Sequence, residues 1–205
     1  HFAPTERARQ NLLGEGIAPG HIVVTGNPVI DALRSIAARP YDETSGPLAK
    51  IPFDRRVVLL TAHRRENFGA PLQGIFTAVL RLAKGYGDQV HFVYPVHLNP
   101  NVRQPAQQLL GGAPNISLIE PLEYLPMVHL MKRCYLVLTD SGGLQEEAPA
   151  LGKPVLVLRQ VTERPEAIES GTARLVGTDP DRIEAEARRL LDDPQAYATM
   201  AHAAN

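Results

Sequence analysis

Apolar and polar positions alternate along the chain in two kinds of segment. Short apolar runs occupy residues 21–25, 56–61, 90–96, 116–119, 135–139, 154–158 and 173–176. Most are rich in Val, Leu and Ile with little polar alternation, a pattern that suits parallel strands buried on both faces. Helix-length segments with start and stop signals lie between them. Thr5 can cap a first helix that ends near Gly14 and Gly16, and Pro28 can open a second that runs to about Ala38 before Pro40. Over residues 71–84, Leu72, Ile75, Phe76, Val79, Leu80 and Leu82 recur at a helical period, and Gly85 follows. Further helices are expected over 101–110, 122–131, 142–151, 181–191 and 194–204. This order predicts β/α units in one doubly wound α/β domain spanning 1–205, with ligands at the carboxyl ends of the strands. The least patterned stretch, 40–52, reads as a surface loop.

Composition narrows the partners. The 205 residues are 44% hydrophobic, enough for a sizeable core. Lys and Arg total 21 against 22 Asp and Glu, a formal charge of −1, so nothing points to nucleic acid or to a polybasic membrane anchor. No apolar run approaches the roughly 20 residues that span a bilayer. Cys134 is the single cysteine, which excludes an internal disulfide framework and a multi-cysteine metal site. A cytoplasmic setting is the default reading. The chain begins with His1, which suggests a processed chain or an excised fragment.

Four segments carry chemistry. In the first, a buried strand runs into His63-Arg64-Arg65-Glu66-Asn67. A histidine at a sheet edge can shuttle a proton near neutral pH, and arginines can neutralise phosphate; a solvated loop with Arg–Glu pairs is the equally open structural reading. In the second, Asp140-Ser141-Gly142-Gly143 leads into a helix. Glycines let a phosphate approach backbone N–H groups, and Glu147, one turn on, can face the same side and accept ribose hydroxyls. An N-capped helix with acidic residues in its first turns is the alternative, and it suits Glu146 best. In the third, Thr162-Glu163-Arg164-Pro165-Glu166 reads alone as a helix start with Pro165 in the first turn. In the fourth, His97 follows a strand; like His21, His91 and His129, a lone histidine of this kind is more often structural. GxGxxG, Walker and HExxH motifs are absent, so neither a nicotinamide cofactor nor a metal is implied.

Five strings in order, GNPVIDAL (26–33), TAHRREN (61–67), YPVHLNPNV (94–102), TDSGGLQEEAPALGKPVLVLR (139–159) and TERPEA (162–167), together resemble the non-hydrolysing UDP-N-acetylglucosamine 2-epimerases. The resemblance covers nearly the whole chain. It implies one Rossmann-like half of a two-domain glycosyltransferase B-type architecture, in which the nucleotide sugar lies between the halves. This chain resembles the carboxyl-terminal half. Residues 1–5 look like the crossover from the amino-terminal domain, and the chain is expected to stop before the tail that returns to it. The acidic residues thought to move the C2 proton belong to that missing domain, so the 205 residues are expected to be inactive alone.

The family reaction implies loss of UDP across C1–C2, a 2-acetamidoglucal intermediate, and re-addition to give UDP-N-acetylmannosamine, without a cofactor. By the same resemblance His63 is the active-site histidine. Ser141, Gly142 and Gly143 form the diphosphate loop, Glu147 binds ribose and Arg164 lies over the nucleotide. The 121–127 segment holds uracil largely through backbone. Arg65 and His97 match positions that touch an activating second UDP-N-acetylglucosamine. A homodimer and a role in cell-surface polysaccharide synthesis are implied as well. A UDP-sugar glycosyltransferase, a hydrolysing epimerase and a non-catalytic UDP-sugar-binding module are the rivals; HRREN together with TERPEA fits the epimerases better.

Overall fold

The computed structural model describes residues 1–203, which divide between two compact units, one of residues 1–39 and one that begins at Pro40. In the first unit, β1 (Phe2–Ala3) and β2 (Val23–Val24) pair in parallel. Helix α1 (Glu6–Gly14) starts where Thr5 Oγ1 accepts the Ala8 N–H at 3.1 Å. Helix α2 (Pro28–Ala37) starts where the Asn27 side chain accepts the Val29 N–H at 3.1 Å, with Pro28 pre-set for the first turn. The strand expected over 21–25 is shortened to two residues, because Pro19–His21 closes into a 3-10 turn. Residues 2–3 form a strand that no apolar run announced.

The second unit holds a six-stranded parallel sheet: β3 (Arg56–Thr61), β4 (Val90–Pro95), β5 (Ile116–Ile119), β6 (Leu136–Thr139), β7 (Val155–Val157) and β8 (Ala173–Leu175). Their order is β5-β4-β3-β6-β7-β8. The central strands are buried on both faces, and Val57, Val58, Leu59 and Leu60 of β3 are at most 1% exposed, so the unbroken apolar runs are the imprint of this sandwiching. The chain winds outward from β3 to β5, returns to β6 beside β3, and winds the other way. That reversal places a topological switch point between β3 and β6, where open α/β sheets bind ligands at the carboxyl edge.

The crossovers are α3 (Ala70–Tyr86), α4 (Pro100–Leu110), α5 (Tyr124–Arg133), α6 (Leu144–Ala150) and α7 (Pro165–Glu169); α8 (Pro180–Asp192) and α9 (Pro194–Ala201) follow β8. Helix α3 buries Leu72, Ile75, Phe76, Val79 and Leu82 and packs against α8 and α4. Gly74 allows this closeness: a Cβ there would stand 2.5 Å from the Thr178 carbonyl oxygen. The expected helix over 194–204 ends at Ala201, and its residue 204 lies outside the described residues.

The surface-loop reading of 40–52 holds for most of the stretch, which is exposed or half-buried, but not for all of it. Gly46–Leu48 forms a 3-10 turn against α5, and Leu48 and Ile51 are buried. Two isolated apolar residues have no period to reveal them; tertiary packing alone buries them. Cys134 is buried as well, and burial pushes its thiol up to about 12, which leaves it inert.

Candidate functional site

Strands β3 and β6 run in register to their last residues, Thr61 beside Thr139. Their hydroxyls meet at 2.5 Å in the buried interior. The chain leaves both strands at this point, and the two loops are sewn together by Asp140. This fully buried carboxylate accepts the backbone N–H groups of His63 and Arg64 at 2.8 Å each, and the Asn67 side-chain amide at 3.0 Å, all on Oδ2. Asn67 also donates to the Leu158 carbonyl at 3.2 Å, tying in the end of β7. Behind the loop, the Tyr94 hydroxyl donates to the Ala62 carbonyl at 2.5 Å. The loop after β3 is therefore braced from three strands.

The His63 ring stands half-exposed, its Nδ1 3.3 Å from Asp140 Oδ1. The His97 ring stacks on it, 5.5 Å between centroids and 8° from parallel. His97 Nδ1 accepts the Asn99 N–H at 3.1 Å, a bond that a neutral Nδ1 makes. Both histidines thus come to the carboxyl edge, from adjacent strands. Arg65 is exposed on the 3-10 turn Arg65–Asn67.

Across the switch point, the Ser141 N–H donates to Thr139 Oγ1 at 2.9 Å and its carbonyl accepts Gln145 Nε2 at 3.1 Å. Among the described residues the Gly142 and Gly143 N–H groups donate to nothing, so they are free for an anion. Glu147 turns back toward this loop: its Oε2 lies 3.7 Å from where a Cβ on Gly143 would stand. The side chain is 8% exposed, and Tyr124 donates to its Oε1 at 2.7 Å. Burial holds the Glu147 carboxyl above the ordinary value; the Tyr124 hydrogen bond opposes this, and the nearby Glu146 charge adds to it. Burial, aided by Glu147, pushes the Tyr124 hydroxyl up to about 12, so it stays a donor.

Charged pairs fasten the third loop. Arg64 reaches Glu163 at 2.9 Å, and Arg159 pairs with both Glu66, at 2.8 Å, and Glu163. Burial works to raise the Glu163 carboxyl, but its hydrogen bonds and the Arg159 and Arg64 charges outweigh it, and it stands below the ordinary value. Arg164 pairs with Glu146 at the start of α6. Pro165 opens α7, so the helix-start reading of this stretch holds alongside its place at the sheet edge. The Arg–Glu pairing expected of 63–67 is present, but its partners lie in the third loop, Arg64 with Glu163 and Glu66 with Arg159, while His63 stands half-exposed at the edge.

The structure thus gathers His63, His97, Ser141, Gly142, Gly143 and Glu147 at one edge, with Arg164 held to α6. Sequence reasoning missed Asp140, Asn67 and Tyr124 as members. An acidic residue immediately after a buried strand was the available signal for Asp140; Tyr124 gave none, because its partner lies 23 residues away. His91, by contrast, sits at the opposite end of β4 and meets Ser117 at 2.8 Å, and His129 stacks on Tyr41. Among the described residues no cluster of His, Cys, Asp or Glu is placed to hold a metal ion, and no helix is long and apolar enough to cross a membrane.

A doubly wound parallel sheet of six strands, with free glycine N–H groups and an inward carboxylate at its switch point, defines a Rossmann-like α/β unit. The particular family follows from comparison: the chain belongs to the UDP-N-acetylglucosamine 2-epimerase family, which it matches over residues 1–205. It is 53% identical to the UDP-N-acetylglucosamine 2-epimerase of Salmonella typhimurium, over 100% of this chain and 56% of that protein. Among solved structures it resembles the Neisseria meningitidis UDP-GlcNAc 2-epimerase bound to UDP-GlcNAc, at 48% identity and a TM-score of 0.91, over 100% of this chain and 56% of that one. The S. aureus MnaA–UDP co-structure is similar at 46% identity and a TM-score of 0.91, over 100% and 55%. The chain therefore spans a little over half the length of these relatives, as one half of a glycosyltransferase B-type architecture.

Proposed function

We propose that the protein containing this chain interconverts UDP-N-acetylglucosamine and UDP-N-acetylmannosamine without hydrolysing them, and that residues 1–205 form its UDP-binding domain. The observation that carries the reading is the convergence of His63, the Ser141–Gly142–Gly143 loop and Glu147 on the β3/β6 switch point of a chain that belongs to this family over its whole length.

A base removes the C2 proton, the C1–C2 double bond forms, and the C1–oxygen bond breaks as UDP leaves. Re-addition with the proton delivered to the opposite face gives the epimer. The Gly142 and Gly143 N–H groups receive the departing diphosphate, whose developing charge they stabilise. His63 gives a proton to the leaving diphosphate and takes it back on re-addition. Glu147 accepts the ribose hydroxyls, Arg164 closes over the nucleotide, and 121–127 holds uracil. The C2 base comes from the amino-terminal domain, so these 205 residues alone do not turn over. Arg65 and His97 receive a second, activating UDP-N-acetylglucosamine, and the His63–His97 stack supports contact between the two sites. The whole protein works as a cytoplasmic homodimer in cell-surface polysaccharide synthesis.

Product analysis of the full-length protein tests the reading. UDP-N-acetylmannosamine formed from UDP-N-acetylglucosamine supports it. Free N-acetylmannosamine, or sugar transferred to an acceptor, overturns it.

A further inference from the structure

Asp140 uses its two oxygens differently. Oδ2 is saturated by three donors, the His63 and Arg64 backbone N–H groups and the Asn67 amide. Oδ1 is buried and has no hydrogen-bond partner among the described residues. A buried carboxylate oxygen without a donor is costly, so such an atom calls for a partner. The group facing it is the His63 imidazole, with Nδ1 at 3.3 Å. A small rotation of the ring makes this a hydrogen bond, the kind of contact that tightens when a site is occupied. The same carboxylate therefore grips the histidine's backbone with one oxygen and addresses its ring with the other. The His97 ring stacks near-parallel beside the imidazole, 5.5 Å between centroids.

We infer that Asp140 is the positioning residue of His63: its Oδ1 holds the Nδ1–H tautomer and leaves Nε2 as the nitrogen that exchanges a proton with the nucleotide diphosphate. The inference rests on the proposed role of His63. When Nε2–H gives its proton to the departing diphosphate oxygen, the ring becomes neutral with Nδ1–H still on Asp140, and re-addition returns the proton to Nε2. A histidine whose second nitrogen is held by a carboxylate keeps one tautomer and one orientation throughout.

The test uses the full-length protein. Imidazole nitrogen shifts, assigned to His63 by comparison with His63→Gln, report its neutral tautomer. The Nδ1–H form is expected, and a predominant Nε2–H form overturns the inference. Asp140→Asn keeps size and an acceptor for the loop N–H groups, but turns an amide toward Nδ1. It is expected to lower kcat by roughly 100-fold or more while KM and UDP affinity stay within about 3-fold. In a His63→Ala background the same change should cost less than about 2-fold. A loss equal in both backgrounds, or a fall in kcat no larger than the fall in UDP affinity, reduces Asp140 to a loop brace and overturns the inference. If Asp140→Asn does not fold, the wild-type tautomer decides alone. If the wild-type protein does not epimerise, the proposed function fails, while the tautomer still reports on Asp140.

Discussion

Asn115 and Asp140 are buried polar side chains at opposite edges of one sheet, 5% and 0% exposed. Asn115 stands just before β5, on the amino edge. Its amide donates to the carbonyls of Ala83, Gly87 and Val90 at 2.9, 2.8 and 3.1 Å, closing the end of α3 onto the start of β4. Asp140 stands just after β6, on the carboxyl edge, and receives three donors on one oxygen while the other faces a histidine ring. Both brace loops. Asn115 spends its donors on three backbone carbonyls, whereas Asp140 leaves one oxygen without a donor, facing a histidine ring. Burial is common to the two; the unspent bond and what it faces set them apart.

The sharpest way to break this contrast is at His63. His63→Ala in the full-length protein is expected to lower turnover by roughly 10²–10⁴-fold, with thermal melting little changed, because a ring that is 40% exposed fills little core. A variant that mainly unfolds would make His63 a structural residue and erase the difference between the two edges. Asp140→Asn comes next, with its smaller loss of kcat and near-constant UDP affinity. At the other edge, Asn115→Ala leaves three carbonyls short of a donor. It is expected to cost about 1–3 kcal/mol in urea unfolding and to leave kcat of the folded protein unchanged. A fall in kcat there would show that the amino edge is coupled to the site.

The smallest effect sharpens the comparison on the functional edge. Because burial raises the folded-state carboxyl of Glu147, the folded protein holds that proton more tightly than the unfolded chain does. The stabilising contribution is complete below the unfolded value and is lost as pH rises through the folded value. Glu147→Gln should therefore melt at the same temperature as wild type or higher at neutral pH, with the variant's relative gain growing as pH rises above the ordinary carboxyl value. Calorimetric titration should find its UDP affinity lowered by roughly 10-fold, as expected when a charged hydrogen-bond acceptor is removed. Unchanged affinity would remove Glu147 from the ribose site.

Much of the fold could be read directly. Strands β3 and β5 fall on the expected residues, and α1 starts after Thr5, because sandwiched strands must be apolar throughout and helix starts need a local acceptor. β1 escaped notice because two residues carry no pattern. Leu48 and Ile51 escaped because isolated apolar residues carry no period, and the turn that holds Leu48 packs against α5, far along the chain. In the site, His63, Ser141, Gly142 and Gly143 stood out as polar or glycine positions just after buried strands, and Glu147 as a carboxylate one helical turn beyond the glycines. Asp140 and Asn67 lay inside the same strings, but nothing in a string tells which oxygen is filled.

The sequence by itself determined the alternation of strands and helices, the family, and the loops that carry polar chemistry. Each of these is written in local periodicity and short motifs. Only the tertiary structure decided that the loops after β3 and β6 share one carboxylate, that His97 stacks on His63, and that Tyr124 reaches Glu147. The reason is physical: these contacts join residues 23 to 77 positions apart, and only the reversal of winding at the centre of the sheet brings their strand ends side by side.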